Sequence, residues 1–293
     1  GDNITKSELA AAPKPQKSNV VAKKLITFAI PVVASSLVFS ITNLIDAITI
    51  QNRLEHMIVN NMDFIRNLYS VELANVLDAD VKNFLYGAYS LSLDFKNLIP
   101  SITMPLGISA IPALSAAWAI KNKKQIKVSI ESVLRVTMII AMPCGIGMGV
   151  LAQPILAAFY GSGNSAAGIS IAAPVMAVYG YSIFLMALSQ PMTNMLQALD
   201  RAKIPLISLS LGAIAKLVAN YILVAIPSIN VNGAVIGTII CYAIIVIINL
   251  GALIFTAKIK LNFISVFIKP AFCGVLCGLA AYTSFGLCNR FIP

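Results

Sequence analysis

Lys216 stands far from both ends of an apolar run that extends from Ile204 to Ile226, and one helical turn later the same run carries Asn220. An ammonium so placed needs a carboxylate, hydrogen-bond acceptors or an anionic ligand, because a charge at bilayer depth costs about 2.5–3.5 kcal/mol on insertion scales. A second stripe, Ser36, Ser40, Asn43 and Asp46, falls within a narrow arc of a helix that advances about 100° per residue. A third places Gln190, Asn194 and Gln197 at spacings of four and three, with Tyr179 on the same face. Asp94 and Lys96 share another apolar run, and Glu131 and Arg135 lie one turn apart near the start of a further one. Together these residues suit a polar lumen that compensates a charged ligand. Each also has a plainer role. Lys216 could pair with Asp46 or Asp94, Asn43 could join two helices, Asp46 could sit in water near an interface, and Glu131 could pair with Arg135.

Nothing in the pattern suits catalysis. There is no Walker loop, no nucleophile elbow and no His beside Cys or Ser within an apolar run, so neither an enzyme nor a nucleotide-driven pump is expected, and no catalytic residue is assigned. Cys144, Cys241, Cys273, Cys277 and Cys288 fall within or at the end of apolar runs, where a thiol acts as a small apolar group, and no disulfide is expected. Cys273 and Cys277 share a helix face, but the single histidine, His56, lies far away in sequence, so no metal and no cofactor is expected.

The elements that must position these residues are membrane helices. From Val136 to Leu199, sixty-four residues pass without an Asp, Glu, Lys, Arg or His. One crossing needs about 20 apolar residues, so this stretch reads as a hairpin of two spans folded at Gly161–Ser165. The whole chain is 58% hydrophobic and 11% charged, against about 25% charged in soluble domains. Seven spans emerge: Leu25–Ile50, Leu85–Ala116, Ile130–Leu151, Ile169–Leu196, Ile204–Ile226, Val231–Ala257 and Val266–Cys288. They lack the alternation and regular turns of a barrel. The expected fold is an all-α polytopic membrane protein.

The net charge of +10 would suit nucleic acid only if it were gathered on one patch. Instead Lys14, Lys17, Lys23 and Lys24 precede the first span, Lys121, Lys123, Lys124 and Lys127 join the second to the third, Arg201 and Lys203 join the fourth to the fifth, and Lys258, Lys260 and Lys269 join the last two. Alternate loops are basic, which places the amino terminus in the cytoplasm by the positive-inside rule and leaves no nucleic-acid partner. The expected location is the cell membrane. Residues 1–24 read as a cytoplasmic tail or an inter-lobe linker stiffened by Pro13 and Pro15, with no signal-peptide pattern, as in a fragment beginning inside a longer transporter. Residues 25–258 would form a six-helix lobe, and 259–293 a loop and one additional helix. Within 53–84, Leu54, Met57, Ile58, Met62, Ile65 and Leu68 recur at helical spacing, which suits either an amphipathic helix on the outer membrane surface or a small helical cap. Proline in nearly every span suits kinked helices, and Gly145/Gly149, Gly233/Gly237 and Gly274/Gly278 have the spacing of close helix packing.

Asn43-Leu44-Ile45-Asp46 followed by Arg53-Leu54, then Leu85-Tyr86-Gly87 and Ile111-Pro112-Ala113-Leu114-Ser115, resemble the carboxy-terminal half of polysaccharide-biosynthesis flippases. Gln197-Ala198-Leu199 before Lys203-Ile204-Pro205, and Gly233-Ala234-Val235-Ile236-Gly237-Thr238, extend the likeness over nearly the whole chain. It is similar to the stage V sporulation protein B branch of the multidrug/oligosaccharidyl-lipid/polysaccharide (MOP) superfamily, which also holds the MATE transporters and the lipid II flippase. The resemblance implies two six-helix lobes plus extra helices, with this chain's spans as the seventh to thirteenth and a separate amino-terminal lobe as partner. It also implies alternating access, membrane lipids as surroundings and a lipid-linked saccharide or peptidoglycan precursor as substrate. Lys216 would offset the substrate's diphosphate and Asp46 would line or gate the cavity, with Asn43, Asp94, Lys96, Arg135, Gln190, Asn194, Gln197 and Asn220 as further lining. A drug or cation antiporter of the same superfamily would instead rely on Asp46, and a non-transporting scaffold for cell-envelope enzymes would pack the polar stripes against one another.

Overall fold

The computed structural model describes residues 18–161 and 166–291. The expected linker prolines, and the hairpin turn from Ser162 to Ser165, lie outside them. The described chain forms α1 (Ser18–Asn60), α2 (Met62–Leu68), a 3-10 turn at Asp78–Asp80, α3 (Val81–Ala119), α4 (Lys123–Val150) and α5 (Ala152–Tyr160). After a second 3-10 turn at Ala166–Gly168 come α6 (Ile169–Ala198), α7 (Lys203–Leu223), α8 (Asn232–Ala257), a π turn at Ile264–Ile268 and α9 (Lys269–Phe291). Seven of these, α1, α3, α4, α6, α7, α8 and α9, are long and apolar enough to cross a membrane. The protein is an all-α, multi-pass membrane protein.

Helix is the form these runs must take, since in hydrocarbon each backbone amide has to find its partner within its own segment. Polar loop residues end the runs. Asn122 caps α4 by accepting from the Gln125 amide at 3.2 Å, and Asp200 turns the chain between α6 and α7 in the left-handed region at φ 59°.

α6 is the central post. It packs most extensively on α3 and also meets α4, α5 and α8, which its freedom from charge permits on every face. It approaches α4 closely: a Cβ at Gly180 would stand 2.7 Å from the Gly145 carbonyl oxygen, so these helices meet backbone to backbone. α9 lies on the far side of α4, where Gly274 abuts Met142.

α1 departs from the expected boundary. The span was expected to end at Ile50, yet the helix continues to Asn60, and its 43 residues extend about 65 Å at 1.5 Å per residue. Arg53 and Glu55 mark the end of the apolar run, and no Gly or Pro follows to break the helix. Its last turns bury Leu54, Met57 and Ile58 together with Ile65 of α2, Ile171 and Val175 of α6, and Val224 and Val231. The apolar face therefore meets protein, the cap alternative. Tyr69 secures it by donating to Asn230 Oδ1 at 3.1 Å, and Arg66 pairs with Asp78 while donating to the carbonyls of Leu73 and Val76 at 3.0 and 2.8 Å.

Because successive helices run in opposite directions, the two ends of the bundle differ in charge. One end carries Lys23, Lys121, Lys123, Arg201, Lys203, Lys258 and Lys260 at helix starts or turns. The other carries the cap, with Asp63, Glu72, Asp78 and Asp80.

Candidate functional site

A cavity of about 790 Å³ lies among α1, α3, α6, α7 and α8. Its closed end is at the capped side, where Ile50 and the buried Tyr89 block the way. From there it runs toward the basic end and reaches Val32, Gln197 and Pro205. Each helix contributes the stripe that its periodicity brings to one face. α1 supplies Ser35, Ser36, Ser40, Asn43 and Asp46; α3 supplies Lys96, Asn97 and Ser101; α6 supplies Ser189, Gln190, Thr193, Asn194 and Gln197; and α7 supplies Lys216.

At the closed end the polar groups are engaged with one another. Lys216 Nζ lies 2.7 Å from Asp46 Oδ2, with the two side chains only 7% and 11% exposed. Asn220, fully buried one turn beyond Lys216, donates to the other carboxylate oxygen of Asp46. This triad joins α1 to α7. Arg53 reinforces the joint by donating to the Tyr221 carbonyl at 3.0 Å and lying 4.1 Å over the Tyr221 ring. Lys216 is thus the partner of a carboxylate, and its positive charge is offset within the protein.

Lys96 differs. Its ammonium lies 5.3 Å over the ring of Tyr179, whose hydroxyl shares a 3.1 Å hydrogen bond with that of Tyr89. Among the described residues no carboxylate lies within salt-bridge distance of it. Of the charged groups on the cavity wall, Asp46 and Lys216 cancel and Lys96 leaves one positive charge. Asn194 adds a buried Nδ2 donor without a partner among the described residues.

Of the ten residues expected at the site, Asn43, Asp46, Lys96, Gln190, Asn194, Gln197 and Lys216 line the cavity, and Asn220 stands behind it on Asp46. Asp94 and Arg135 are not on its wall. Asp94 lies two residues before Lys96, roughly 200° around the helix, so only one of the two can face the lumen. Asp94 is exposed and accepts from the Tyr160 hydroxyl of α5 at 3.1 Å. The expected Glu131–Arg135 pair does not form either. Glu131 is drawn toward the other side, 3.7 Å from Lys127 and accepting from the Asn262 amide at 2.8 Å, which leaves the Arg135 Nε buried without a partner among the described residues. The polar wall residues not foreseen include Ser35, Asn97 and Ser101 and, on α6, Ser189 and Thr193. The last two fall on the helical repeat of Gln190, Asn194 and Gln197, a signal that amides alone obscured.

The family model of the lipid II flippase MurJ matches residues 50–291 of the chain. The chain belongs to the MurJ family. Among curated proteins, the lipid II flippase MurJ of Bacillus subtilis (strain 168) is 25% identical over 146 residues, 50% of this chain and 26% of its own length. Stage V sporulation protein B of the same organism is 24% identical over 194 residues, 64% of this chain and 36% of its own length. The solved inward closed conformation of the lipid II flippase MurJ aligns with a TM-score of 0.55 at 16% identity, covering 78% of this chain and 52% of that one. A MOP superfamily transporter from Pyrococcus furiosus, described as having a binding pocket of reverse polarity, aligns at 0.50 with 15% identity, over 87% of this chain and 52% of its own. These likenesses show the MOP transporter fold, and the chain spans about half the length of the solved structures it matches. The MurJ family is one of transporters; the matched segment holds the cavity walls from α3, α6, α7 and α8, while the α1 wall from Val32 to Ala47 precedes it.

Proposed function

We propose that this chain forms one wall of a flippase that moves a polyprenyl-diphosphate-linked sugar or peptidoglycan precursor across the cell membrane by alternating access. The observation that carries the reading is Lys96, a cation without a carboxylate partner among the described residues, in a cavity whose other charges cancel. A diphosphate needs such compensation in a medium of low dielectric, and the hydroxyls and amides farther along the cavity, Ser36, Ser40 and Asn194 among them, suit the hydroxyls of a sugar headgroup. The family name supports a lipid-linked substrate. A cation antiporter would need an available carboxylate, and Asp46 is held by Lys216 and Asn220.

In this reading the basic end is cytoplasmic, the amino terminus with it, and the cavity is open toward the cytoplasm. A second lobe of comparable size would close its remaining side. Cysteines placed at Lys124 and Val71 in a cysteine-free background test the orientation: an impermeant thiol reagent applied to intact cells should label the second and spare the first.

The experiment on function is a binding competition in phosphatidylcholine nanodiscs. A labelled polyprenyl-diphosphate-linked disaccharide should bind saturably and be displaced by undecaprenyl diphosphate. A lipophilic cation that displaced it equally well would refute the anionic-substrate reading.

A further inference from the structure

A second cavity, of about 1130 Å³, opens at the basic end between the first turns of α1 and the turn joining α6 to α7. Its wall includes Lys23 and Pro31 of α1, Asp200 and Arg201 of the turn, and Lys203 and Ile204 of α7. Three cations against one carboxylate leave it with two positive charges. Lys23, Arg201 and Lys203 are all exposed, and none of them forms an ion pair among the described residues. The turn that carries two of them is well defined. The Arg201 amide donates to the Leu196 carbonyl at 2.9 Å, that of Asp200 to Gln197 at 3.0 Å and that of Ile204 to Arg201 at 3.1 Å.

The depth of these charges is set by the sequence. The apolar runs begin at Leu25 in α1 and at Ile204 in α7, so Lys23 and Lys203 stand where hydrocarbon gives way to headgroups. Cations between membrane helices at that level are suited to lipid phosphates, while Pro31 and Ile204 offer an apolar wall to the chains below. The pocket also adjoins the central cavity: Val32 and Pro205, the next residues along α1 and α7, line it.

We propose that this pocket is a binding station for the phosphate of an anionic membrane lipid, held by Lys23, Arg201 and Lys203 at the mouth of the central cavity. It goes beyond the transport reading and does not rest on it, since a lipid phosphate can be held there whatever the central cavity carries.

The test is a count of bound lipid by native mass spectrometry on the full 293-residue chain in phosphatidylcholine nanodiscs, titrated separately with phosphatidylglycerol, undecaprenyl diphosphate and inorganic phosphate. One or both anionic lipids should bind saturably, and inorganic phosphate should not; the two lipid arms tell a bulk phospholipid from a polyprenyl carrier. Arg201→Gln with Lys203→Gln should weaken lipid binding about twenty-five-fold, about fivefold for each charge removed. Arg201→Lys with Lys203→Arg should retain it. Lys123→Gln with Lys124→Gln, two exposed charges of the same end outside the pocket, should leave it nearly unchanged. An equal loss in that control would reduce the effect to the general field of the basic end, and tight binding of free inorganic phosphate would make it a soluble-anion site; either result overturns the proposal. Lys96→Gln separates the two readings, because it should weaken binding of the lipid-linked disaccharide in the central cavity and leave phosphatidylglycerol binding intact.

Discussion

The stretch of α1 from Asp46 to Ile58 and the stretch from Ser18 to Ile45 belong to one unbroken helix, yet they live in different surroundings. The later stretch is packed: Ile50, Leu54 and Met57 are no more than 1% exposed, and Asp46 is bound to α7. The earlier stretch is open, with Leu25, Ile30 and Leu44 more than 60% exposed and Ser36, Ser40 and Asn43 turned to the cavity. Helix formation was never in question for either part. What differs is whether neighbouring helices come close enough to cover it, and that is decided by the ion pair and the cap. One end of α1 is a fixed post, and the other is a wall whose uncovered surface is available to lipid or to another part of a transporter.

The strongest way to break that contrast is to remove the charge that anchors the post. Lys216→Met should cost about 3–5 kcal/mol, because Asp46 is then left buried and ionised without its partner, and Asp46→Asn in the same chain should recover most of the loss. Thermal unfolding in detergent reads both. Recovery by the second change identifies pairing rather than packing as the cause. Next in size is the cap. Leu54→Ala should destabilise by about 2–5 kcal/mol through a cavity in the buried cluster, whereas Leu44→Ala, at 65% exposure, should stay within about 0.5 kcal/mol. Equal losses at the two positions would erase the distinction between post and wall. The smallest expected effect is at the outer end of the joint, where Tyr221→Leu should cost about 0.5–1 kcal/mol by removing the ring beneath Arg53.

The spans were legible because charge is so costly in hydrocarbon that its absence over long runs admits one interpretation. The polar stripes were legible for the same reason, since Gln190, Asn194 and Gln197 on one helical face have to face something other than lipid. Partner choice was not. Asp46 and Asp94 were equal candidates for Lys216, and only the three-dimensional approach of α1 to α7, with Asp94 rotated away beside Tyr160, selects the first. The length of α1 was missed because Arg53 and Glu55 mark where an apolar run ends, which is not where a helix ends. The surface helix and the cap share one periodicity, so the burial of Leu54 and Met57 against Ile171 and Val224 could come only from the fold. Lys23, Arg201 and Lys203 read as topology signals in the sequence, and their convergence on one pocket depends on the turn that brings α7 beside α1.

The division of labour between the two cavity lysines is tested most directly by the affinity of the chain, in phosphatidylcholine nanodiscs, for a polyprenyl-diphosphate-linked disaccharide. Lys96→Arg should keep most of the affinity, Lys96→Gln should lose on the order of tenfold to a hundredfold for a partly desolvated charge, and Lys96→Glu should lose more. The pair Asp46→Asn with Lys216→Met should bind as the wild type does once folded protein is matched. Wild-type affinity in Lys96→Gln together with loss in the double variant would return the functional charge to Lys216 and contradict the assignment.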